Sequence, residues 1–300
     1  MKNSNSSTRL YVIVARSAPV GVIIRRGPSK QVVLIKWNME DDTFEIGQWL
    51  KARVYETRCD LSPEGDMLLY FASDNRRSLS SWSAVSRPPY FTALALWKKS
   101  NTFGGGGLFL SRSEIALDRR PWEETGVAEG FSLPEWLTIG RIDRNSWNEY
   151  DPFSPWSRRL AREGWKLTDY PSKTKDEFGS KVMIEFDPPV TWQKAHPLLP
   201  EDFTLQMSLV GINERNGPWH LIDHIVTGKN GYVGKIGRSD WADWSQTGDL
   251  LFSQSGCLYR LGYKKGALGP IEASREIADF SCLEFQQCEA PAEAQEWPSR

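Results

Sequence analysis

Two of the three histidines in this chain stand together, in His220-Leu-Ile-Asp223-His224. On a helix that spacing would set two imidazoles on one face beside a carboxylate, the arrangement that holds zinc in H-E-x-x-H proteins. The flanking Trp219, Leu221, Ile222, Ile225 and Val226 argue for a strand instead. The rings would then share a face but stand about 13 Å apart along it, with Asp223 pointing the other way. No metal site is expected, and the pair reads as structural. His196, in Ala-His-Pro, has no recognisable nucleophile partner, and no Gly-x-Ser-x-Gly elbow occurs. Cys59, Cys257, Cys282 and Cys288 form no Cys-x-x-Cys pair, so they read as free thiols of a reducing cytoplasm. Thr102-Phe-Gly104-Gly-Gly-Gly107-Leu shares only its glycines with a phosphate loop, because no Gly-Lys-Ser/Thr and no helix follow. It reads as a tight connection into Leu108–Leu110. No cofactor is expected.

The elements that would position these residues are strands. Val32–Trp37, Phe91–Trp97, Leu108–Leu110, Val182–Phe186, Leu205–Ile212 and His220–Val226 are strand-like, and helix periodicity is almost absent. In Phe91-Thr-Ala-Leu-Ala-Leu-Trp97 one side carries Phe91, Ala93, Ala95 and Trp97, and the other carries Thr92, Leu94 and Leu96. Both sides are mainly apolar, as they are in Met67–Phe71. A β-sandwich wets the outer face of each sheet, whereas strands apolar on both sides need cover on both. A sandwich or irregular barrel is the competing architecture.

A weak internal echo adds to this. Asp60-Leu-Ser62-Pro63-Glu64-Gly65-Asp66 and Asp243-Trp244-Ser245-Gln246-Thr247-Gly248-Asp249 share Asp, Ser, Gly and Asp at four offsets, each followed by an apolar strand. Ser-Pro-Glu-Gly suits a type I turn, with Pro fixing φ at the second position and Gly relieving strain at the fourth. The preceding Asp can accept backbone hydrogen bonds. The motif resembles the S-P-D-G element of WD40-like and TolB-type β-propellers, and the chain is also similar to uncharacterised bacterial proteins of this type. The resemblance implies an all-β, WD40-like β-propeller over residues 1–300. The copies lie 183 residues apart, close to four periods of about 45, one four-stranded blade each. Five to seven blades fit the length, with six preferred. Asp60, Ser62, Gly65, Asp243, Ser245 and Gly248 then have a structural task.

Residues 119–180 interrupt the scheme as an aromatic- and proline-rich insertion, in which Ser154-Pro155 through Gly164 reads as a short helix. Of fourteen tryptophans, Trp82, Trp97, Trp192, Trp219 and Trp244 fall in or beside strands and read as wedges between blades. Trp122, Trp136, Trp147, Trp156 and Trp165 fall in the insertion. With Tyr150, Phe153, Arg158 and Arg159 they could line a binding surface, or they could form the insertion's own apolar core. The first 39 residues carry no acid, and the segment 272–300 is acidic, so the two ends are expected to meet by pairing of a terminal strand.

With 37 basic against 38 acidic residues, the charge footprint of a nucleic-acid binder is missing. Leu10–Ile24 is too short and too interrupted by arginine for a membrane span, and no signal peptide is evident. The expected protein is cytoplasmic and non-catalytic, a propeller platform for another protein. A propeller-type hydrolase or lyase acting on glycans is the alternative, and it requires acids converging in an axial pocket.

Overall fold

The computed structural model describes residues 8–27, 30–74, 79–143, 154–176, 181–215, 217–264 and 266–299. The chain is all-β, and nearly all of its sheets are antiparallel. It divides into two compact units. The first comprises Tyr11–Arg159 and Glu284–Arg300, and the second Met1–Leu10 and Leu160–Leu283.

In the first unit three sheets follow one another in chain order. A meander is formed by β1 (Arg9–Val14, whose first two residues belong to the second unit), β2 (Val20–Arg26), β3 (Gln31–Asn38) and β4 (Thr43–Lys51). The next sheet contains β5 (Arg53–Val54), β6 (Asp60–Leu61), β7 (Leu68–Ser73), β8 (Ser81–Ser86) and β9 (Ala93–Lys99). The third contains β10 (Gly107–Ser111), β11 (Glu114–Leu117) and β12 (Thr138–Arg141), the last running parallel to β11.

Every residue of β7 and β8 is buried. One face of the middle sheet (Leu68, Tyr70, Ala72, Ala84) packs on Val22, Ile24, Val32 and Leu34 of the first sheet. The other face (Leu69, Val85, Ala95, Trp97) packs on Phe109, Ile115 and Leu117 of the third. Successive sheets thus stack face to face, which covers both sides of the middle one. It explains the doubly apolar strands, since fully burying such side chains contributes about 1.5–3 kcal/mol each.

One detail of the strand pattern is corrected. Val85 pairs with Ala95 but Ser86 pairs with Ala93, so Leu94 is an extra residue in β9. This bulge reverses the alternation. Phe91 and Ala93 therefore join the cluster on one side of the sheet, and Ala95 and Trp97 the cluster on the other.

Both copies of the turn are built as their sequences imply. The Gly65 amide donates to the Ser62 carbonyl (3.0 Å) and the Gly248 amide to that of Ser245 (3.0 Å), both glycines having positive φ. Ser62 Oγ accepts the amides of Asp66 (3.2 Å) and Met67 (3.0 Å) and donates to the Asp66 carboxylate (2.8 Å). Ser245 Oγ accepts only the Asp249 amide (2.9 Å) and meets Thr247 Oγ1 at 2.9 Å. The leading aspartates act beyond their own turns. Asp60 accepts the Phe109 amide of β10 (2.8 Å), and Asp243 accepts Lys194 Nζ (2.5 Å) and the Trp244 amide (2.7 Å).

Helix α1 (Pro155–Arg162) starts and stops as read. The Ser157 amide donates to Ser154 Oγ (3.1 Å), capping the N-terminus. Gly164, at positive φ, closes a Schellman motif in which Trp165 N–H reaches the Leu160 carbonyl (2.9 Å) and Gly164 N–H that of Ala161 (3.1 Å).

In the second unit, β13 (Lys166–Asp169) and β14 (Lys173–Asp176) both pair with the long β15 (Val182–Ala195), which continues into β16 (Phe203–Glu214), β17 (His220–Gly228) and β18 (Val233–Arg238). The insertion thus contributes edge strands to two sheets, β12 in one unit and β13 and β14 in the other. In β16, buried Phe203, Leu205, Met207 and Leu209 alternate with half-buried residues, the pattern of a sheet covered mainly on one face. A further sheet joins β19 (Trp241–Trp244), β20 (Leu250–Gln254), β21 (Cys257–Leu261) and β24 (Arg275–Asp279). Between the last two lies the small hairpin of β22 (Tyr263–Lys264) and β23 (Ala267–Leu268).

The expected strand pairing between the chain ends does not occur among the described residues, because β1 pairs with β2. Side chains tie the start of the chain instead: Thr8 Oγ1 donates to the Ser281 carbonyl (3.2 Å), and Ser253 Oγ to that of Leu10 (2.8 Å). Among the described residues, no helix is long and apolar enough to cross a membrane.

Replacing Ser62 by Ala removes the acceptor of two turn amides, and it should cost about 1–3 kcal/mol in urea unfolding. Ser245→Ala, which removes a single amide acceptor, should cost less. Equal effects would show that the second amide held by Ser62 adds nothing to stability.

Candidate interaction surface

Gly104, Gly105 and Gly106 between β9 and β10, and Gly107 at the start of β10, all have positive φ, and three of the four have no room for a side chain. A Cβ on Gly105 would lie 2.3 Å from the Phe71 ring, one on Gly106 1.9 Å from the Arg58 carbonyl oxygen, and one on Gly107 2.2 Å from that of Ala116. The loop is the tight connection its composition implies. Beneath it, Arg58 donates to the carbonyls of Thr102 (2.7 Å) and Gly104 (2.9 Å). Its guanidinium lies over Tyr55 (4.8 Å) and Phe71 (5.5 Å). The Asn101 side chain accepts the Phe103 amide (3.0 Å), and Ser81 Oγ donates to the Asn101 carbonyl (2.6 Å). The residue held from both sides is Phe103, which is 63% exposed.

Beside it the segment after β11 turns sharply. The Arg120 amide donates to the Glu123 carboxylate, and the Glu123 amide to the Arg120 carbonyl, each at 3.0 Å. Arg141 clamps this turn through the carbonyls of Arg120 (2.9 Å), Pro121 and Glu123. The Arg120 guanidinium stands 5.9 Å from the Phe103 ring centroid and 5.3 Å from that of Trp122, which is 73% exposed. Two large exposed rings flanking one cation, all on braced backbone, make a rigid amphipathic display.

A cleft of about 340 Å³ adjoins it, lined by Lys98, Lys99, Ser100, Arg119, Glu123 and Gly126 among others. Lys99 is buried and ion-paired to Glu123. Burial pulls the Lys99 ammonium below its usual range, with Glu123 opposing. Burial also pushes Glu123 upward, but hydrogen bonds from Lys99 and the Arg120 amide outweigh it and leave the carboxyl low. The two side chains face each other as an ion pair. The cleft is a fixed ion pair rather than a poised acid or base.

Of the aromatic set read from the insertion, only Trp122 is strongly exposed among the described residues. Trp156, Arg159 and Trp165 are buried. Arg159 lies over Tyr11 (5.3 Å) and donates to its hydroxyl and to the Cys59 carbonyl. Trp136 packs edge-on against Trp297 (6.0 Å), and Arg158 donates to the Asp143 carbonyl. Arg159 and Trp136 thus pack against residues outside the insertion. Trp147, Tyr150 and Phe153 lie outside the described residues. Of the strand tryptophans, Trp219 is 37% exposed and is no wedge, whereas Trp82, Trp97, Trp192 and Trp244 are buried. Sequence reading missed Phe103 and Arg120. The available signal was a bulky ring beside four glycines, where a loop this tight leaves that ring nowhere to go but outward.

The histidines are structural. His196 Nδ1 accepts the amides of Leu198 (3.2 Å) and Leu199 (3.0 Å), which leaves Nε2–H to donate to the Gly248 carbonyl (2.9 Å). The ring thereby fastens the end of β15 to the second turn. His220 and His224 lie on strand β17, as expected, opposite Ile212 and Met207. His224 is buried, with Nδ1 2.7 Å from Ser239 Oγ, and burial pushes its pKa down to about 3.

Among the described residues, Cys257, Glu276 and Asp279 bring donor atoms within 4.8 Å of one another. Burial, with the two acids assisting, pushes the Cys257 thiol up to about 11, so it is protonated at neutral pH. Glu276 and Asp279 are exposed, and exposed acidic groups of this kind are common without a metal.

No protein-family model matches the chain, and no curated protein is similar to it in sequence. Among solved structures it is similar to a Bacteroides fragilis protein provisionally named a 6-phosphogluconolactonase. The identity is 11% over 93% of this chain and 98% of that one, with a TM-score of 0.29, too low to support an argument.

Neutral burial of His224 fixes the sign of one pH effect. Above pH 6.5 the site is uncharged in both folded and unfolded chains and contributes nothing to pH dependence. Below it the unfolded chain takes up the proton first, so stability falls as pH drops from about 6.5 toward about 3, by up to about 1.4 kcal/mol per pH unit from this group. His196, also lowered by burial, acts in the same direction. His224→Gln should flatten the urea-midpoint profile between pH 6.5 and 4.5; an unchanged slope would contradict a neutral buried ring.

Proposed function

We propose that this protein is a non-catalytic binding platform that engages another protein through Phe103, Arg120 and Trp122. The observation that carries this is the fixed display itself. Exposed rings on mobile backbone would lose ordering entropy on binding, whereas rings braced by Arg58 and Arg141 lose little. Aromatic residues and arginine are also the side chains that dominate binding energy at protein interfaces. Lys98 and Arg120 favour a partner that brings a carboxylate beside an aromatic or proline side chain.

The four aspartates of the two turns are already engaged in structural contacts. Asp66 is bound by Ser62 and Arg112, Asp249 by Arg260 and the Tyr263 amide, and Asp60 and Asp243 as described above. The near-neutral charge balance argues against nucleic acid as the partner.

Phe103→Ala/Trp122→Ala should leave thermal unfolding unchanged, because both rings are exposed. Affinity capture from native-host cells should then lose at least tenfold of a specific bound protein relative to the wild type. Recovery of the same partners in the same amounts would overturn this assignment.

A further inference from the structure

A second surface of the first unit is already occupied, and its occupant is the end of the chain. Residues 284–299 run over this unit with one short turn of regular structure, Ala292–Gln295. Three of their carbonyls are read by side chains from three different places. Gln48 of β4 donates to Cys288 (3.1 Å), Arg87 after β8 to Glu293 (2.5 Å), and Arg112 between β10 and β11 to Ser299 (2.9 Å). Two aromatic anchors lie toward the ends of the segment. Phe285 meets Trp49 edge-on (5.8 Å) beneath Lys51 Nζ (4.0 Å), while Trp297 packs on Trp136 and donates to the Ser132 carbonyl (3.3 Å).

The receiving groups are set by their own unit. Gln48 Oε1 accepts the Phe91 amide (2.8 Å) and Thr92 Oγ1 (3.2 Å), which turns its NH₂ toward the tail. Arg112 is held by Glu64 (3.2 Å) and Asp66 (2.8 Å) of the first turn. Trp136 packs against the core cluster of Leu69 and Trp97. The tail fully buries only Ala290, Ala294 and Pro298, with Trp297 partly buried against the same cluster, and Glu284, Glu289, Glu293 and Glu296 are all exposed. Side chains reading main-chain carbonyls, with pockets for spaced anchors, is how proteins bind extended peptides. An occupant with so little buried surface opens at lower cost than the core does.

We infer that this track is a peptide-binding groove held shut by residues 284–299. The partner it fits is an extended acidic protein segment with two aromatic anchors about a dozen residues apart, which displaces the tail. Acidity follows from Lys51 and Arg87 along the track, since Arg112 is already paired with Glu64 and Asp66. The inference is independent of Phe103 and Trp122, which take no part in the contacts described here.

The test uses the full chain and a fluorescent peptide of residues 283–300. A tethered tail competes at an effective concentration in the millimolar range. The wild type should therefore bind the peptide at least tenfold more weakly than Phe285→Ala/Trp297→Ala, whose own tail has lost its anchors. Binding to the variant should also weaken as salt rises. Equal affinities for the two proteins, or no saturable binding by a variant with native circular dichroism, would overturn the groove.

If the double variant does not fold, a protease site inserted between Leu283 and Glu284 and cut after folding gives the second measurement. The severed tail should co-elute with the body and exchange for labelled peptide. A tail that a hundredfold excess cannot displace would refute displaceability. A concentration-dependent wild-type dimer that excess peptide leaves intact would assign the track to a second copy and equally refute the proposal.

Discussion

Strands β7 and β8 present no face to water, and much of the first unit follows from that constraint. A sheet apolar on both sides cannot be the wall of a two-layer sandwich. It must have a neighbour on each side, and the chain supplies one before it and one after it. The sheets are linked by more than apolar contact. Asp60, fully buried, leaves the middle sheet to accept an amide of the third, so a charge that would be costly alone becomes a fixed joint between layers.

The same economy recurs at the first turn. Asp66 is held by Ser62 and in turn holds Arg112, and Arg112 reaches the carbonyl near the chain end. The second turn uses its equivalent aspartate on Arg260 and the Tyr263 amide. Its histidine support, the His196 ring packed against Trp244 (4.8 Å) and Tyr263 (4.6 Å), has no counterpart in the first. A motif that is local in sequence thus does its work through partners far away.

That division also explains what could be read in advance. Strand positions, the Ser154 cap, the Gly164 stop, both turns and the crowded glycine loop depend on neighbours within a few residues, and these were legible. The Leu94 bulge was not, because one surplus residue in an apolar strand leaves no mark in the pattern. Nor was the display of Phe103, because Arg58 lies 44 residues from Thr102, whose carbonyl it holds. The tryptophans of the insertion misled because composition gives ring count and not side. Trp156 and Trp165 turn inward, and Trp122 outward.

The glycine loop separates a mount from what it carries. Its base cannot accept even one methyl group at Gly105 or Gly106 without pushing on Phe71 or the Arg58 backbone. The ring at its tip touches little, so its identity is open to change while the scaffold under it is not. Related chains with this base could present different side chains from the same position, and a chosen recognition residue could be grafted there without redesigning the sheets.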